Sequence, residues 1–357
     1  MRPLITLPYR ERAAQAIVNG HASLGHDVTV IEAAGIRAAA ARGIRKVSHV
    51  SRSPGTHLNA MHLAKRITHG SRPITDPTAD YILGFPGACE QVFRANDSKL
   101  RVMHAVDTHP VEHNDRLRST YGRAARSEEY PKWLVAAIER ELELADLILV
   151  PSQLVRGAME NHGVDPSKLV VCPYGVDTSL FRPRSSDSQS KSARVAFVGQ
   201  VSRRKGIPML AVAAAAANVD ITVVGNAFEP SLLRDASRIR HLRAMSHTAL
   251  AAFLREQDAF VLPSVEDACA LSTLEAASSG LPIITTPENG AAEVLNGATL
   301  ELVSSTKVDE LVHALRQVQA LRADEAERNR ALNVEFGNVD DWSGYFDRYI
   351  SIINGRL

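Results

Sequence analysis

Apolar positions follow two rhythms along this chain. Short unbroken runs, rich in Val and Ile, alternate with stretches in which apolar residues recur every three or four positions. The first rhythm predicts buried strands and the second predicts amphipathic helices. Strands are predicted at Pro3–Pro8, Val28–Ile31, Tyr81–Leu83, Val102–Val106, Leu147–Val150 and Leu169–Val171. Helices are predicted at Arg10–Leu24, which Gly25 ends, and at Tyr130–Asp146. Two basic helical pieces are predicted near Ile36–Lys46 and His57–His69, on either side of the turn Ser53-Pro54-Gly55. Pro183–Ala193 is polar, serine-rich and aperiodic, which marks a linker. The alternation then restarts. Strands are predicted at Val195–Val198, Ile221–Val224, Ala259–Leu262 and Ile283–Thr285. Helices are predicted at Pro208–Ala217, Thr273–Ser279, Ala291–Leu295 and Val308–Leu321. A last helix, about Asp341–Ile353, carries Trp342, Tyr345, Phe346 and Tyr349 at helical spacing, the pattern of a helix docked on a core.

Strand and helix alternate on both sides of the linker, which implies two α/β units, each with a parallel sheet covered by helices. The 357 residues agree, since roughly 150 residues make a domain. Apolar residues are 45% and charged residues 23% of the chain, values that exclude disorder and fibrous classes. A formal net charge of +1 argues against nucleic acid as a partner of the whole chain. The longest apolar run, Met209–Ala217, is far short of the roughly 18 residues of a membrane span. The apolar stretch at the amino end is too short for a secretory signal. Cys89, Cys172 and Cys269 stand far apart, so neither a disulfide framework nor a zinc site is expected, and a cytoplasmic setting is.

The charge is segregated. Ala33–Thr75 contains no Asp or Glu but carries Arg37, Arg42, Arg45, Lys46, Arg52, Lys65, Arg66 and Arg72. Such a segment is either a solvated face or a surface for an anion or an anionic membrane, at the inner face of the membrane in a cytoplasmic protein.

Three clusters hold candidate chemistry. In the first, a strand ends at Gly199 and the loop Gln200-Val201-Ser202-Arg203-Arg204-Lys205-Gly206 leads into a helix. Glycine admits a ligand close to the backbone, cations neutralise phosphate, and a helix N-terminus favours negative charge. In the second, Pro263-Ser264 follows a buried strand, and the acids Asp267 and Glu275 stand eight apart. Between them Leu271-Ser272-Thr273 opens a helix and offers unpaired backbone amides. A carboxylate, an acceptor only, suits sugar hydroxyls. In the third, Cys172-Pro173-Tyr174-Gly175-Val176-Asp177 is a turn that leaves a strand before the linker.

In order and spacing these clusters resemble the retaining glycosyltransferases of family 4, whose GT-B fold pairs two Rossmann-like domains across an inter-domain cleft. The segment from Pro173-Tyr174-Gly175-Val176-Asp177 to Phe181 is similar to that family's crossover, and Gly199–Gly206 to its diphosphate loop. Pro263–Pro282 is similar to its region of paired acids, and Asn289–Val294 to the turn that follows. The resemblance implies an N-terminal domain over 1–182 on the acceptor side and a linker at 183–193. It further implies a donor domain over 194–335 and a helix over 336–357 that crosses back to the first domain. It implies donor binding by Gly199, Gln200, Arg203, Arg204, Lys205, Asp267, Leu271, Ser272, Thr273 and Glu275. Asp267 would hold the sugar and Glu275 the ribose. It also implies a cleft histidine after the fourth strand, where this chain has Asp107 and, two further on, His109 in a stretch dense in hydrogen-bonding groups that includes His113.

The implied reaction moves a sugar from a nucleotide diphosphate donor to a hydroxyl of a small or lipid-linked acceptor, with retention. Lys205 and the helix amides stabilise the leaving group. No cofactor is expected, and no Asp-x-Asp pair occurs, which fits metal-independent chemistry. Asp267 stands where Glu is usual, Gln200 where Arg is usual, and the first loop, Pro8–Glu11, lacks the usual glycine pair. These departures motivate one rival, a non-catalytic GT-B subunit; a second rival is a GT-B enzyme of other nucleotide-sugar chemistry. A dinucleotide oxidoreductase is disfavoured, because no G-x-G-x-x-G follows the first strand.

Overall fold

A computed structural model of the chain describes residues 1–7, 12–32, 44–48, 75–87, 89–183, 193–295, 299–323 and 340–357. Most of the basic segment 33–75, the first loop at 8–11, and residues 184–192 of the linker lie outside the described residues. The chain divides into two compact units. One comprises Met1–Val111, Tyr130–Pro173 and Trp342–Leu357; the other comprises Glu112–Glu129 and Tyr174–Asp341. The expected boundary at 182 differs from this division in two places. Residues 174–182 are tied to the second unit, where Arg255 donates to the Leu180 carbonyl and Ser278 to the Phe181 carbonyl. Residues 112–129 are tied to it by His113 and Glu128, which bond to its loops.

Among the described residues of the first unit, seven strands form one parallel sheet: β1 (Pro3–Leu7), β2 (Val28–Glu32), β3 (Ile44–Ser48), β4 (Tyr81–Gly84), β5 (Leu100–His104), β6 (Leu147–Val150) and β7 (Leu169–Val171). Their order is β3-β2-β1-β4-β5-β6-β7. Every residue of β4 and β6 is buried, as continuous apolar runs require in a sheet covered on both faces. The helices are α1 (Arg12–Ser23), α2 (Glu90–Ala95), α3 (Pro110–Tyr121), which runs into the second unit, α4 (Lys132–Leu144) and α5 (Gln153–Asn161).

Among the elements that depart from the sequence pattern are two of the first unit. Of the helix expected over 36–46, residues 36–43 lie outside the described residues, and Ile44, Arg45 and Lys46 belong instead to a strand in register from Val28↔Ile44 to Glu32↔Ser48. Ile44 and Val47 favour a strand once a partner edge is available, and Arg45 and Lys46 suit an edge that must not pair further. Helix α3 carries few apolar residues, so no 3.6-residue stripe announced it.

In the second unit six parallel strands stand in the order β10-β9-β8-β11-β12-β13. They are β8 (Val195–Val198), β9 (Ile221–Val224), β10 (Ile239–Leu242), β11 (Ala259–Leu262), β12 (Ile283–Thr285) and β13 (Thr299–Leu302). The helices are α6 (Ile207–Ala217), α7 (His247–Arg255), α8 (Leu271–Ser278) and α9 (Val308–Ala323). The alanines of α6 let α9 pack closely against it.

The last helix, α10 (Trp342–Asn354), belongs to the first unit. Phe346 lies against Gly20 of α1, where a Cβ would collide with its ring. The Tyr349 hydroxyl shares a hydrogen bond with that of Tyr81 at 2.6 Å, and Tyr81 shares another with His21 Nε2 at 2.7 Å. Tyr345 bonds to His104 Nε2 at 2.6 Å, and Arg348 donates to the Pro173 carbonyl. Tyr345 and Tyr349 are therefore docking anchors with polar tips, and Phe346 is an apolar one. Among the described residues no helix is long and apolar enough to cross a membrane.

Burial pulls the His104 pKa down to about 4, and burial together with the charges of His26 and the amino terminus pulls His21 down to about 3. Both histidines fold neutral but titrate near 6.5 when unfolded, so they cost stability as pH falls below 6.5. Glu141 works oppositely. Burial raises it to about 7 against the pull of bonds from the Gly87, Cys89 and Glu90 amides, so its contribution grows as pH falls from about 7 to 4.5. The variant His104→Phe keeps the ring stack on Phe85 and loses the titration. Its unfolding free energy, measured in urea between pH 7 and pH 4, should fall less steeply with acid than that of the wild type; an equal slope would refute the assignment.

Candidate functional site

Within the second unit the strand order reverses between β8 and β11, which pair side by side. In open α/β sheets ligands bind beyond the carboxyl ends of the strands at such a reversal. The two loops that leave there are Gly199–Gly206 and Pro263–Ala270.

The first loop is pinned at both ends. Gly199 donates to the Val224 carbonyl at 3.0 Å and Val201 to the Asn226 carbonyl at 3.0 Å. A tight turn follows, with the Gly206 amide on the Arg203 carbonyl at 2.9 Å and the Lys205 amide on Ser202 Oγ at 3.3 Å. Gly206, the N-cap of α6, has φ +77°, and a Cβ there would collide with the Pro263 carbonyl. Only glycine both accepts that backbone and lets the two loops touch. The Val265 amide, on the Arg204 carbonyl at 2.8 Å, joins them again.

Each cation of the loop meets a separate carboxylate. Arg203 donates to Glu229 at 2.8 Å, Arg204 to Glu266 at 3.3 Å, and Lys205 is ion-paired with Asp267. Burial and the neighbouring Arg204 charge hold the Lys205 pKa below its ordinary 10.5, against the opposing pull of Asp267. Gln200 is exposed.

The second loop is ordered by Asn289, whose side chain is fully buried. Its Oδ1 accepts from the Ala270 and Ala291 amides, both at 3.1 Å. Its Nδ2 donates to Thr273 Oγ1 and Thr285 Oγ1, both at 3.0 Å. The backbone of Asp267 adds two bonds, to the Glu288 carbonyl and from the Gly290 amide. Helix α8 starts here. Its N-cap, Ala270, supplies no side-chain cap; Leu271 and Ser272 are half-buried, and Thr273 and Glu275 are buried. An uncapped, partly accessible helix start, at the end of a loop that Lys205 and Arg204 reach, is an anion site in form.

The structure therefore brings Gly199, Gln200, Arg203, Arg204, Lys205, Asp267, Leu271, Ser272, Thr273 and Glu275 onto two touching loops and one helix start. Asp107 and His109 belong to the first unit. Asp107 accepts from the Tyr130 hydroxyl at 3.0 Å. His109 is buried and stacks on His162, with ring centroids 4.4 Å apart. Both histidines line a pocket of about 370 Å³ with Glu139, Glu143 and Lys168. Sequence reasoning gave no role to Glu128, Glu266 or Asn289. Glu266 and Asn289 stood inside quoted motifs, but nothing in the sequence marked Glu128.

Comparison with known proteins bears on the chain's family and fold. The family model described as Glycosyltransferase Family 4 matches residues 11–180, and that described as Glycosyl transferases group 1 matches 192–320. An MMP alpha-(1->4)-mannosyltransferase of Mycolicibacterium hassiacum is 27% identical over 248 residues, 63% of this chain and 60% of that one. A D-inositol 3-phosphate glycosyltransferase of Mycobacterium tuberculosis is 31% identical over 197 residues, 48% of this chain and 41% of that one. The matches thus span about half the length of these curated relatives. Among solved structures, sucrose-phosphate synthase from Thermosynechococcus elongatus superposes with a TM-score of 0.77 over 99% of both chains at 15% identity, a likeness of fold. Two matched family models, covering between them most of the segments on which both sheets are built, mark this chain as a family 4-like glycosyltransferase, and its fold is that of the GT-B enzymes.

Proposed function

We propose that the chain transfers a glycosyl group from a nucleoside diphosphate sugar to an acceptor hydroxyl, with retention at the anomeric carbon. The observation that carries this reading is that Lys205 and Arg204 reach Asp267 and Glu266, on the loop that leads into the uncapped start of α8, at the strand-order reversal. That arrangement meets a diphosphate with cations and amides together.

In the step, the bond from the anomeric carbon to the β-phosphate oxygen breaks and its electron pair goes to the diphosphate. Positive charge grows on the sugar ring and negative charge on the leaving oxygen. Lys205 and the Leu271 and Ser272 amides are aimed at that negative charge, the usual largest source of rate. The acceptor oxygen bonds to the anomeric carbon from the face the diphosphate leaves, and its proton passes to the departing phosphate oxygen. Asp267 holds sugar hydroxyls and Glu275 the ribose. For Asp267 to do so, Lys205 must exchange its carboxylate partner for phosphate when the donor binds. That exchange is the specific motive for the rival reading of a non-catalytic subunit.

The relatives act, by their names, on a mannosyl donor and on D-inositol 3-phosphate. The acidic-residue-free segment 33–75 supports an anionic acceptor of comparable kind on the first unit. Calorimetric titration with UDP, GDP, ADP and CMP tests the donor reading. One diphosphate should bind clearly tighter than the rest, and turnover of the matching nucleotide sugar should give a product of unchanged anomeric configuration by NMR. Diphosphate binding without turnover would favour the non-catalytic subunit, and an inverted product would refute retention.

A further inference from the structure

The segment Glu112–Glu129 reaches both donor loops. The Glu128 carboxylate spans two consecutive main-chain amides, Oε1 accepting from Arg203 at 2.6 Å and Oε2 from Arg204 at 2.9 Å. His113 is buried between two acceptors. Its Nδ1 lies 2.9 Å from Glu266 Oε2 and its Nε2 3.1 Å from the Glu128 carbonyl. Glu266, itself buried, also accepts from the Arg204 guanidinium at 3.3 Å. The contacts close a ring: Glu128 to the Arg204 backbone, Arg204 side chain to Glu266, Glu266 to His113, and His113 back to Glu128. Through it the backbone of the phosphate loop is fixed from one side and the acid of the second loop from the other.

Glu128 and Glu266 cannot themselves hold a diphosphate, because carboxylates only accept. Their effect on an anion is through the loop they hold. Without Glu128 the two amides of a tight turn return to water, and ordering the loop falls to the binding step, where it weakens affinity.

We propose that His113 and Glu128 are positioning residues of the donor site, locking the phosphate loop to the acidic loop so that Lys205 and the start of α8 meet one diphosphate together. The proposal rests on the transferase reading above. It carries a pH signature. Both partners of the His113 ring are acceptors, so both bonds form only when the ring carries two protons. Burial opposes that charge, but the Glu266 carboxylate and the bonds to it win over burial and Arg204, and the pKa lies above the ordinary 6.5. The charged groups facing the ring are Glu266 and Arg204 from the loops, and its own segment contributes the uncharged Glu128 carbonyl. Diphosphate affinity should therefore fall as pH rises through the raised value.

The test is calorimetric titration with UDP, GDP and ADP of the wild type, E128Q, H113Q and K205A, between pH 6.5 and pH 9, with melting temperatures alongside. The wild type should bind one diphosphate and weaken with rising pH. E128Q and H113Q should each bind about tenfold more weakly at pH 6.5, one rotamer-ordering penalty of the size expected for a released loop. H113Q should also lose the part of the pH dependence that is not the ligand's own ionisation, which a merely structural histidine would not remove. If H113Q fails to fold, the wild-type profile above pH 7.5, where the diphosphate is fully ionised, decides alone: a flat profile overturns the proposal. Wild-type affinity in E128Q and H113Q with loss in K205A overturns the proposal and leaves the transferase reading standing. No binding of any diphosphate to the wild type overturns both.

Discussion

Replacing Lys205 by alanine should lower glycosyl transfer about 100- to 1000-fold, the usual loss when one donor aimed at developing negative charge is removed. The lysine is the cation most directly committed to the site. It closes the turn before α6, its amide rests on Ser202 Oγ, and its ammonium meets Asp267 beside the acidic loop. The same change leaves the Asp267 carboxylate, only 6% exposed, with its lysine gone and Ser264 Oγ at 3.5 Å. Removing one member of a buried pair costs about 3 kcal/mol, so K205A should also melt at lower temperature. The double variant K205A/D267N separates the two effects, because it removes the orphaned charge. It should regain most of the melting temperature and none of the transfer rate. Transfer at an undiminished rate in K205A, measured with the donor that the titration identifies, would end the leaving-group role.

How far the sequence reached depended on the range of each interaction. The strands of both sheets were legible wherever a continuous apolar run met burial on both faces, as in Leu147–Val150 and Ala259–Leu262. Ile44–Ser48 was misread because an edge strand with Arg45 and Lys46 owes its form to pairing with β2, a contact no local pattern encodes. The loop Gly199–Gly206 stood out in the sequence because a phosphate-binding loop would take glycine and cations at short spacing, and Asp267 and Glu275 because their separation of eight resembles the family's paired acids. Glu128 was not. It acts on the amides of residues 75 and 76 positions away, and amides have no sequence signature. Asp107 and His109 illustrate the opposite limit: density of polar residues drew attention to the stretch, yet their observed partners, Tyr130 and His162, follow from folding rather than spacing.

Replacing Asn289 by alanine should cost about 2–5 kcal/mol of stability, the sum of leaving two buried amides without an acceptor and two hydroxyls without a donor. The side chain is fully buried and uses both ends: Oδ1 takes the Ala270 and Ala291 amides, while Nδ2 serves Thr273 and Thr285. The amides cannot turn away, because Ala270 is the N-cap of α8 and the backbone of neighbouring Asp267 is held by the Glu288 carbonyl and the Gly290 amide. The Thr273 hydroxyl can rotate, while that of Thr285 already donates to the Leu262 carbonyl at 3.0 Å. This asymmetry predicts that N289D is milder in stability than N289A, since a carboxylate still accepts from both amides and from the Thr273 hydroxyl once it turns. Its charge also lies at the start of α8, where the helix dipole favours it. The same charge repels a diphosphate brought to that helix start. N289A should therefore lose stability, read as a lower urea midpoint. N289D should keep most of its stability and lose diphosphate affinity by about tenfold or more, a factor that about 1.4 kcal/mol of repulsion supplies. Equal urea midpoints for the two variants would contradict the hydrogen-bond assignment. Undiminished affinity in N289D would remove the start of α8 from the donor site and leave Lys205 and the two arginines to bind the diphosphate alone.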